Sequence, residues 1–393
     1  MLAGGAPISI PDIVRTVRAV VGDGASIGLH EPTFNGAEWT YVKDCIDTGW
    51  VSTAGAYVGR FEKALCEYCE VKNAVAVVNG TAALHAALLV AGVKAGDEVI
   101  VPSLTFAATA NAVVHCGAIP HFADSNWESL GMDAGRLDAY LRDIARVDGG
   151  ETFNRLTGRR LRAIVPVHVF GHFVDLDALE DVANRFNLIL VEDATEALGS
   201  RYRGRAAGGR SRLAVLSFNG NKIVTTGGGG AILTNDTNTA SHIRHMTTTA
   251  KLPHRWAFEH DAAGYNYRMP NINAALGLAQ LEQLEGFVEK KRLLAERYMN
   301  AFAEQAGVSV FREQSYCRSN YWLNALILDA AVTSYREDLL SAFHDAGIFA
   351  RPVWRLLHEL PHFSTMPRMP TPVADDIQNR IINLPSSPHL VKA

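Results

Sequence analysis

A chain of 393 residues is too long for a single small module and has room for two domains, or one large domain with an appendage. Its 37 basic against 41 acidic residues leave a formal charge of −4, so no global electrostatics favours nucleic acid or an anionic membrane. A hydrophobic content of 48% with 20% charged residues excludes a disordered chain. Five cysteines, an odd and scattered set, argue against a disulfide scaffold and for a reducing compartment. The opening MLAGGAPISIPDIVR has neither a basic nor a continuous apolar stretch of the secretory kind, and the expectation is a cytoplasmic protein.

In chain order, Ala74 to Val93 is apolar over a length that a hydropathy scan would flag, but Asn79-Gly80 breaks it. It reads as a buried strand through Val75, Val77 and Val78, a turn, and a buried helix from about Thr81 to Ala91. Strand–helix units then recur, the mark of an α/β domain with a largely parallel sheet. Strands are expected at 98–102, 119–123, 162–167, 188–191, 213–218 and 230–233. Helices are expected from Phe106 to His115 and after Asp175, with Leu176, Leu179, Val182, Ala183 and Phe186 on one face. Residues from about Trp127 to Arg160 read as a surface excursion around a polar helix, 133–144. From Asn271 a long helix carrying Ala275, Leu278, Leu281, Leu284 and Val288 runs to about Phe302. Beyond it come a strand at 321–328, a helix at 334–346 and a strand at 348–353. The expected division is a large domain over 1–270 and a linking helix with a small α+β domain over 271–393.

Three places combine residues able to do chemistry. Gly80-Thr81 opens a helix whose first N–H groups lack intrahelical partners, so an anion can approach there; an ordinary capped turn is the alternative. Glu192-Asp193 ends an apolar strand, where open α/β sheets bind ligands, and a carboxylate there suits a cationic ring nitrogen; helix capping is the alternative. Lys222 follows Ser217-Phe-Asn-Gly-Asn and precedes Gly227 to Gly230, a segment where backbone can approach a ligand closely. A lysine amine so placed is suited to Schiff-base chemistry, although most lysines are solvated. Other features carry less. Gly204 to Ser211 mimics a P-loop but precedes a strand, Cys66 and Cys69 have no second cysteine pair, and His168 and His172 lack a third ligand. No dinucleotide fingerprint follows the early strands.

Together these pieces resemble the fold-type I pyridoxal-phosphate enzymes. More narrowly, EDATEALGS (192–200), LSFNGNKIVTTGGGG (216–230) and GYNYRMPNINAALGLAQL (264–281) resemble the nucleotide-sugar aminotransferases of the DegT/DnrJ/EryC1/StrS family. The likeness runs from LHEPTFNGAEW (29–39) to INLPSSP (382–388) and is similar to the C4 aminotransferases of legionaminic acid and bacillosamine pathways.

The resemblance implies a large domain with a mainly parallel seven-stranded sheet, a smaller C-terminal α+β domain, and pyridoxal 5'-phosphate as cofactor. It implies that Lys222 holds the cofactor as a Schiff base and shuttles the proton, and that Asp193 keeps the pyridine nitrogen protonated. Phe106 would stack on the ring, and Gly80, Thr81 and Ser217 would bind the phosphate. Asn266 would reach the phosphate in the partner subunit, giving a homodimer with shared sites. Glu196 stands where many members carry glutamine near the cofactor's phenolic oxygen. The implied reaction moves an amino group from L-glutamate to C4 of a nucleotide-linked 4-keto-6-deoxy sugar, in first place a UDP-linked N-acetylhexosamine for bacterial surface glycan. A GDP-perosamine-type synthase is an alternative. A family dehydratase is another, disfavoured because that branch carries histidine at the position of Lys222. A cofactor-binding sensor is the non-enzyme alternative, with little room for an added module.

Overall fold

The computed structural model describes residues 8–391; residues 1–7, where the secretory-leader reading begins, and 392–393 lie outside the described residues. Seven short strands form the backbone of the large sheet: β1 (Asn73–Val77), β2 (Glu98–Pro102), β3 (Ile119–Ala123), β4 (Arg160–Ile164), β5 (Ile189–Asp193), β6 (Leu213–Ser217) and β7 (Gly230–Thr234). Their spatial order is β1-β7-β6-β5-β4-β2-β3. The pairs from β6 through β5, β4 and β2 to β3 are parallel, and β7 runs antiparallel to both β1 and β6. Runs such as Val-Ile-Val and Leu-Ala-Val-Leu are continuous because helices cover both faces of the sheet. The expected seven strands are all present, four of their six pairings parallel, and a hairpin brings the sheet to nine.

The segment that a hydropathy scan would flag is β1, the Asn79 turn and the helix Gly80–Val90, which packs against the sheet. Among the described residues no helix is long and apolar enough to cross a membrane.

Three local expectations change. The excursion after Trp127 is more than surface: Ala145–Asp148 and Glu151–Asn154 form a hairpin that pairs with β4. Polar side chains seat it, because Thr152 Oγ1 donates to the Phe186 carbonyl and Asn154 Nδ2 to Glu98 Oε2 at 2.8 Å. The long helix is two, Asn271–Leu281 and Leu284–Ala301. At their junction Gln280 and Gln283 both donate to the buried Glu38 Oε1 at 2.6 Å. The strands expected at 321–328 and 348–353 shrink to Asn324–Leu328 and Arg351–Pro352. Tyr321 lies in the left-handed region, φ 47°, which turns residues 319–322 away from the sheet and toward the site.

The small sheet is antiparallel throughout, in the order Val308–Val310, Asn324–Leu328, Ile381–Leu384, Arg351–Pro352. The N-terminal helix Ile10–Val21 packs here: Ile13, Val17 and Val21, spaced four apart on one face, join Leu294, Tyr298, Leu326 and Phe343 in one apolar cluster.

Candidate active site

The carboxyl ends of β5 and β6 and the turn after β1 open on one cavity of about 320 Å³. After β1, Asn79 takes an extended backbone and its Oδ1 accepts the Ala82 N–H at 2.7 Å, starting the helix at Gly80. That helix end offers N–H groups to an anion beside the hydroxyls of Thr81 and Ser217. Glycine is required at 230, where a Cβ would lie 2.6 Å from the Asn79 carbonyl, and a Cβ on Gly80 would crowd Ser217 Cβ at 3.0 Å.

Asp193 ends β5, buried in the wall of the cavity. Its Oδ2 accepts from Thr109 Oγ1 at 2.8 Å and its Oδ1 from Thr195 Oγ1 at 2.7 Å. These hydroxyls fix a carboxylate at the point where a cationic ring nitrogen would meet it.

Lys222 lies in the loop between β6 and β7. Its Nζ stands 3.2 Å from Glu196 Oε1 and 3.8 Å from the ring centroid of Trp322. Trp322 also holds the loop itself, since its Nε1–H donates to the Asn221 carbonyl at 2.8 Å. Glu196 is buried, and burial pushes its carboxyl above the usual carboxylate range, with the Lys222 ammonium opposing. Its other oxygen accepts the Phe170 N–H at 2.8 Å, and Phe170 is itself held in the left-handed region at φ 55°.

Of the expected residues, Gly80, Thr81, Phe106, Asp193, Glu196, Ser217 and Lys222 all line this cavity. Phe106 stands at its mouth, 59% exposed. Asn266 does not line it; it is exposed, bridged through its backbone to Thr248. His168 and His172 diverge: His168 Nε2 faces Glu192 Oε2 at 3.1 Å, whereas His172 packs between Phe311 and Tyr321. The P-loop-like stretch forms the two-residue strand Arg205–Ala206, and its Ser211 donates to the buried Glu192; none of its residues lines the cavity.

Sequence reasoning missed Thr109, Thr195, Trp322 and Trp354. Thr195, two residues beyond Asp193, was within reach as a local side-chain partner. Thr109 and the tryptophans carry no local signal, because tertiary structure alone brings them to the cavity.

The residues suit pyridoxal 5'-phosphate. A glycine-lined helix start with two hydroxyls matches its phosphate, Asp193 its pyridine nitrogen, and Lys222 its aldehyde, all in one cavity.

The comparisons agree. Residues 32–393 match the DegT/DnrJ/EryC1/StrS aminotransferase family. A GDP-perosamine synthase of Caulobacter vibrioides is 36% identical over 93% of this chain and 95% of its own. The UDP-4-amino-4,6-dideoxy-N-acetyl-beta-L-altrosamine transaminase of Campylobacter jejuni is 31% identical over 80% of each. The crystal structure of the aminotransferase TlmJ from Streptoalloteichus hindustanus superposes with a TM-score of 0.82 and 27% identity, covering 92% of this chain and 93% of that one. The chain therefore belongs to the DegT/DnrJ/EryC1/StrS aminotransferase family and is a pyridoxal-phosphate-dependent sugar aminotransferase.

Proposed function

We propose that the enzyme transfers the amino group of L-glutamate to C4 of a nucleotide-linked 4-keto-6-deoxy sugar, in the cytoplasm, for surface-glycan synthesis. The observation that carries this reading is the single cavity in which the amine of Lys222, the carboxylate of Asp193 and the start of the helix Gly80–Val90 converge. The bound cofactor supplies the electron sink that makes a proton next to the transferred nitrogen removable. The protein's share is orientation and proton movement. The N–H groups and hydroxyls at Gly80, Thr81 and Ser217 would hold the cofactor's phosphate, Asp193 would pair with its ring nitrogen, and Phe106 would cover its ring. Lys222 would anchor the cofactor, and its Nζ is the base placed to hold and move a proton there. Glu196, 3.2 Å from that Nζ, orients it and would stand near the cofactor's phenolic oxygen.

The sequence alone suggests a UDP-linked sugar. The higher identity and coverage of the relative named GDP-perosamine synthase favours a GDP-linked one. Lysine rather than histidine at 222 favours amino transfer over dehydration. Exposed Trp39, Trp256 and Phe258, 74–80% accessible in the single chain, support a homodimer in which Asn266 reaches the partner's site.

Mass spectrometry of products from glutamate with UDP-, GDP- and dTDP-linked 4-keto-6-deoxy sugars tests the reading. A 4-amino sugar from the GDP substrate is expected. No amino sugar from any of the three would overturn it.

A further inference from the structure

The helix Leu284–Ala301 carries a lysine that the reaction does not use. Lys291 is fully buried, and among the described residues its amine forms no ion pair. It donates instead to two backbone carbonyls, that of Trp322 at 3.1 Å and that of Ser386. Burial drives the amine toward its neutral form, which keeps two N–H groups for those two acceptors. The end of the small sheet leaves both carbonyls in need of a donor. Its ladder stops at Asn324 opposite Leu384, and the chain departs from it at the left-handed Tyr321. A buried carbonyl past that point has to be met by a side chain.

The next residue of the helix grips the other end of the same turn. Arg292 Nη1 donates to the Ser319 carbonyl at 2.7 Å and is itself paired with Glu313 at 2.6 Å. Residues 319–322 are thus a strap fastened at both ends to one helix, and two of its side chains reach the active site. Asn320 Nδ2 donates to the Glu196 carbonyl at 2.9 Å, while its Oδ1 accepts the Trp322 N–H at 2.7 Å. Trp322 sets its ring under the Lys222 amine and its Nε1–H on the Asn221 carbonyl. One strap therefore holds both members of the Lys222–Glu196 pair. A left-handed tyrosine is costly and persists only where its surroundings hold it, which is the work left to the bonds at the strap's two ends.

We propose that Lys291 is a positioning residue for amino transfer: its two hydrogen bonds hold the strap 319–322 so that Trp322 and Asn320 keep the Lys222 amine against Glu196. This rests on the role given to Lys222. The wild type is compared with Lys291→Met, Lys291→Arg and Phe343→Leu, the last a destabilising control in the apolar cluster of the small sheet. Each full-length chain, stripped of cofactor, is mixed with pyridoxal 5'-phosphate. Absorbance and borohydride trapping follow the condensation of the Lys222 amine with the aldehyde, which releases water. The reloaded enzymes then react with glutamate in single turnover, separating the limiting rate from the half-saturating concentration. In Lys291→Met both the capture rate and the limiting rate should fall roughly twofold to thirtyfold, with half-saturation unchanged. Lys291→Arg, whose guanidinium still donates, should recover most of the loss. Phe343→Leu should keep wild-type rates despite a lower urea midpoint. Wild-type rates in Lys291→Met, or an equal slowing in Phe343→Leu, would overturn the proposal. Should Lys291→Met not fold, Asn320→Ala, which frees the Glu196 carbonyl, carries the same test with the same outcomes. Wild-type protein that traps no cofactor on Lys222 would sink the functional reading and this proposal together, whereas normal wild-type capture with no difference among the variants sinks the positioning role alone.

Discussion

Trp322 is where the small unit grips the catalytic loop, and two substitutions separate its two contacts. Trp322→Phe keeps a ring face under Lys222 and loses the Nε1–H bond to the carbonyl of the exposed Asn221, which water can take over. The loss is worth about 0.5–1.5 kcal/mol. Trp322→Ala also removes a side chain that is 4% exposed, which costs about 3–5 kcal/mol of stability. It further removes the ring 3.8 Å from the Lys222 amine, a contact worth about 0.5–2 kcal/mol, or roughly twofold to thirtyfold in a rate that depends on its placement. Urea unfolding and the single-turnover reaction with glutamate are the assays. Stability should fall from wild type through the phenylalanine to the alanine variant, and only the alanine variant should react markedly more slowly. The reasoning fails if Trp322→Phe unfolds with the wild type or if Trp322→Ala reacts at the wild-type rate.

Other outcomes follow from the same geometry. Lys222→Ala should fold, because burial already holds the Glu196 carboxyl above the usual range and it can take up a proton when its cation is lost; turnover should vanish, and near-normal activity contradicts the assigned role. Glu196 has a folded pKa raised by burial, so its favourable contribution is present below the unfolded value and is lost as pH rises through the folded one. Glu196→Gln should therefore gain stability relative to the wild type with rising pH in urea titrations; parallel pH curves count against this. His172 is the opposite case: burial, then Arg292, lowers it from 6.5 to about 3, so the stability linked to its neutral form is present above 6.5 and drains away as pH falls toward 3. His172→Gln should flatten the acid limb of the stability profile, and an unchanged limb would show that this ring does not govern it.

The parts of the site that were legible in the sequence are those where chemistry and local structure share a few adjacent residues. Gly80-Thr81 is a turn between an apolar strand and an apolar helix. Asp193 ends an apolar run of leucine, isoleucine and valine, and Lys222 lies between turn residues and four glycines. Each is a local pattern of strand, turn and glycine, and the α/β sheet follows from the same periodicity. What stayed hidden arrives from far along the chain. Trp322, 100 residues beyond Lys222, reaches it because Tyr321 takes a left-handed backbone, and no hydrophobic period announces that. The break at Glu282–Gln283 was invisible for the same reason: its cause is the buried Glu38, more than 240 residues earlier. Periodicity reports which face is buried, not which polar partner waits there.

The most direct measurement is chemical. The purified holoenzyme is reduced with borohydride, digested and mapped by mass spectrometry. A pyridoxyl adduct on the peptide that contains Lys222, absent after prior conversion with glutamate, is the predicted result. An unmodified Lys222, or an adduct on a different lysine, would contradict the account.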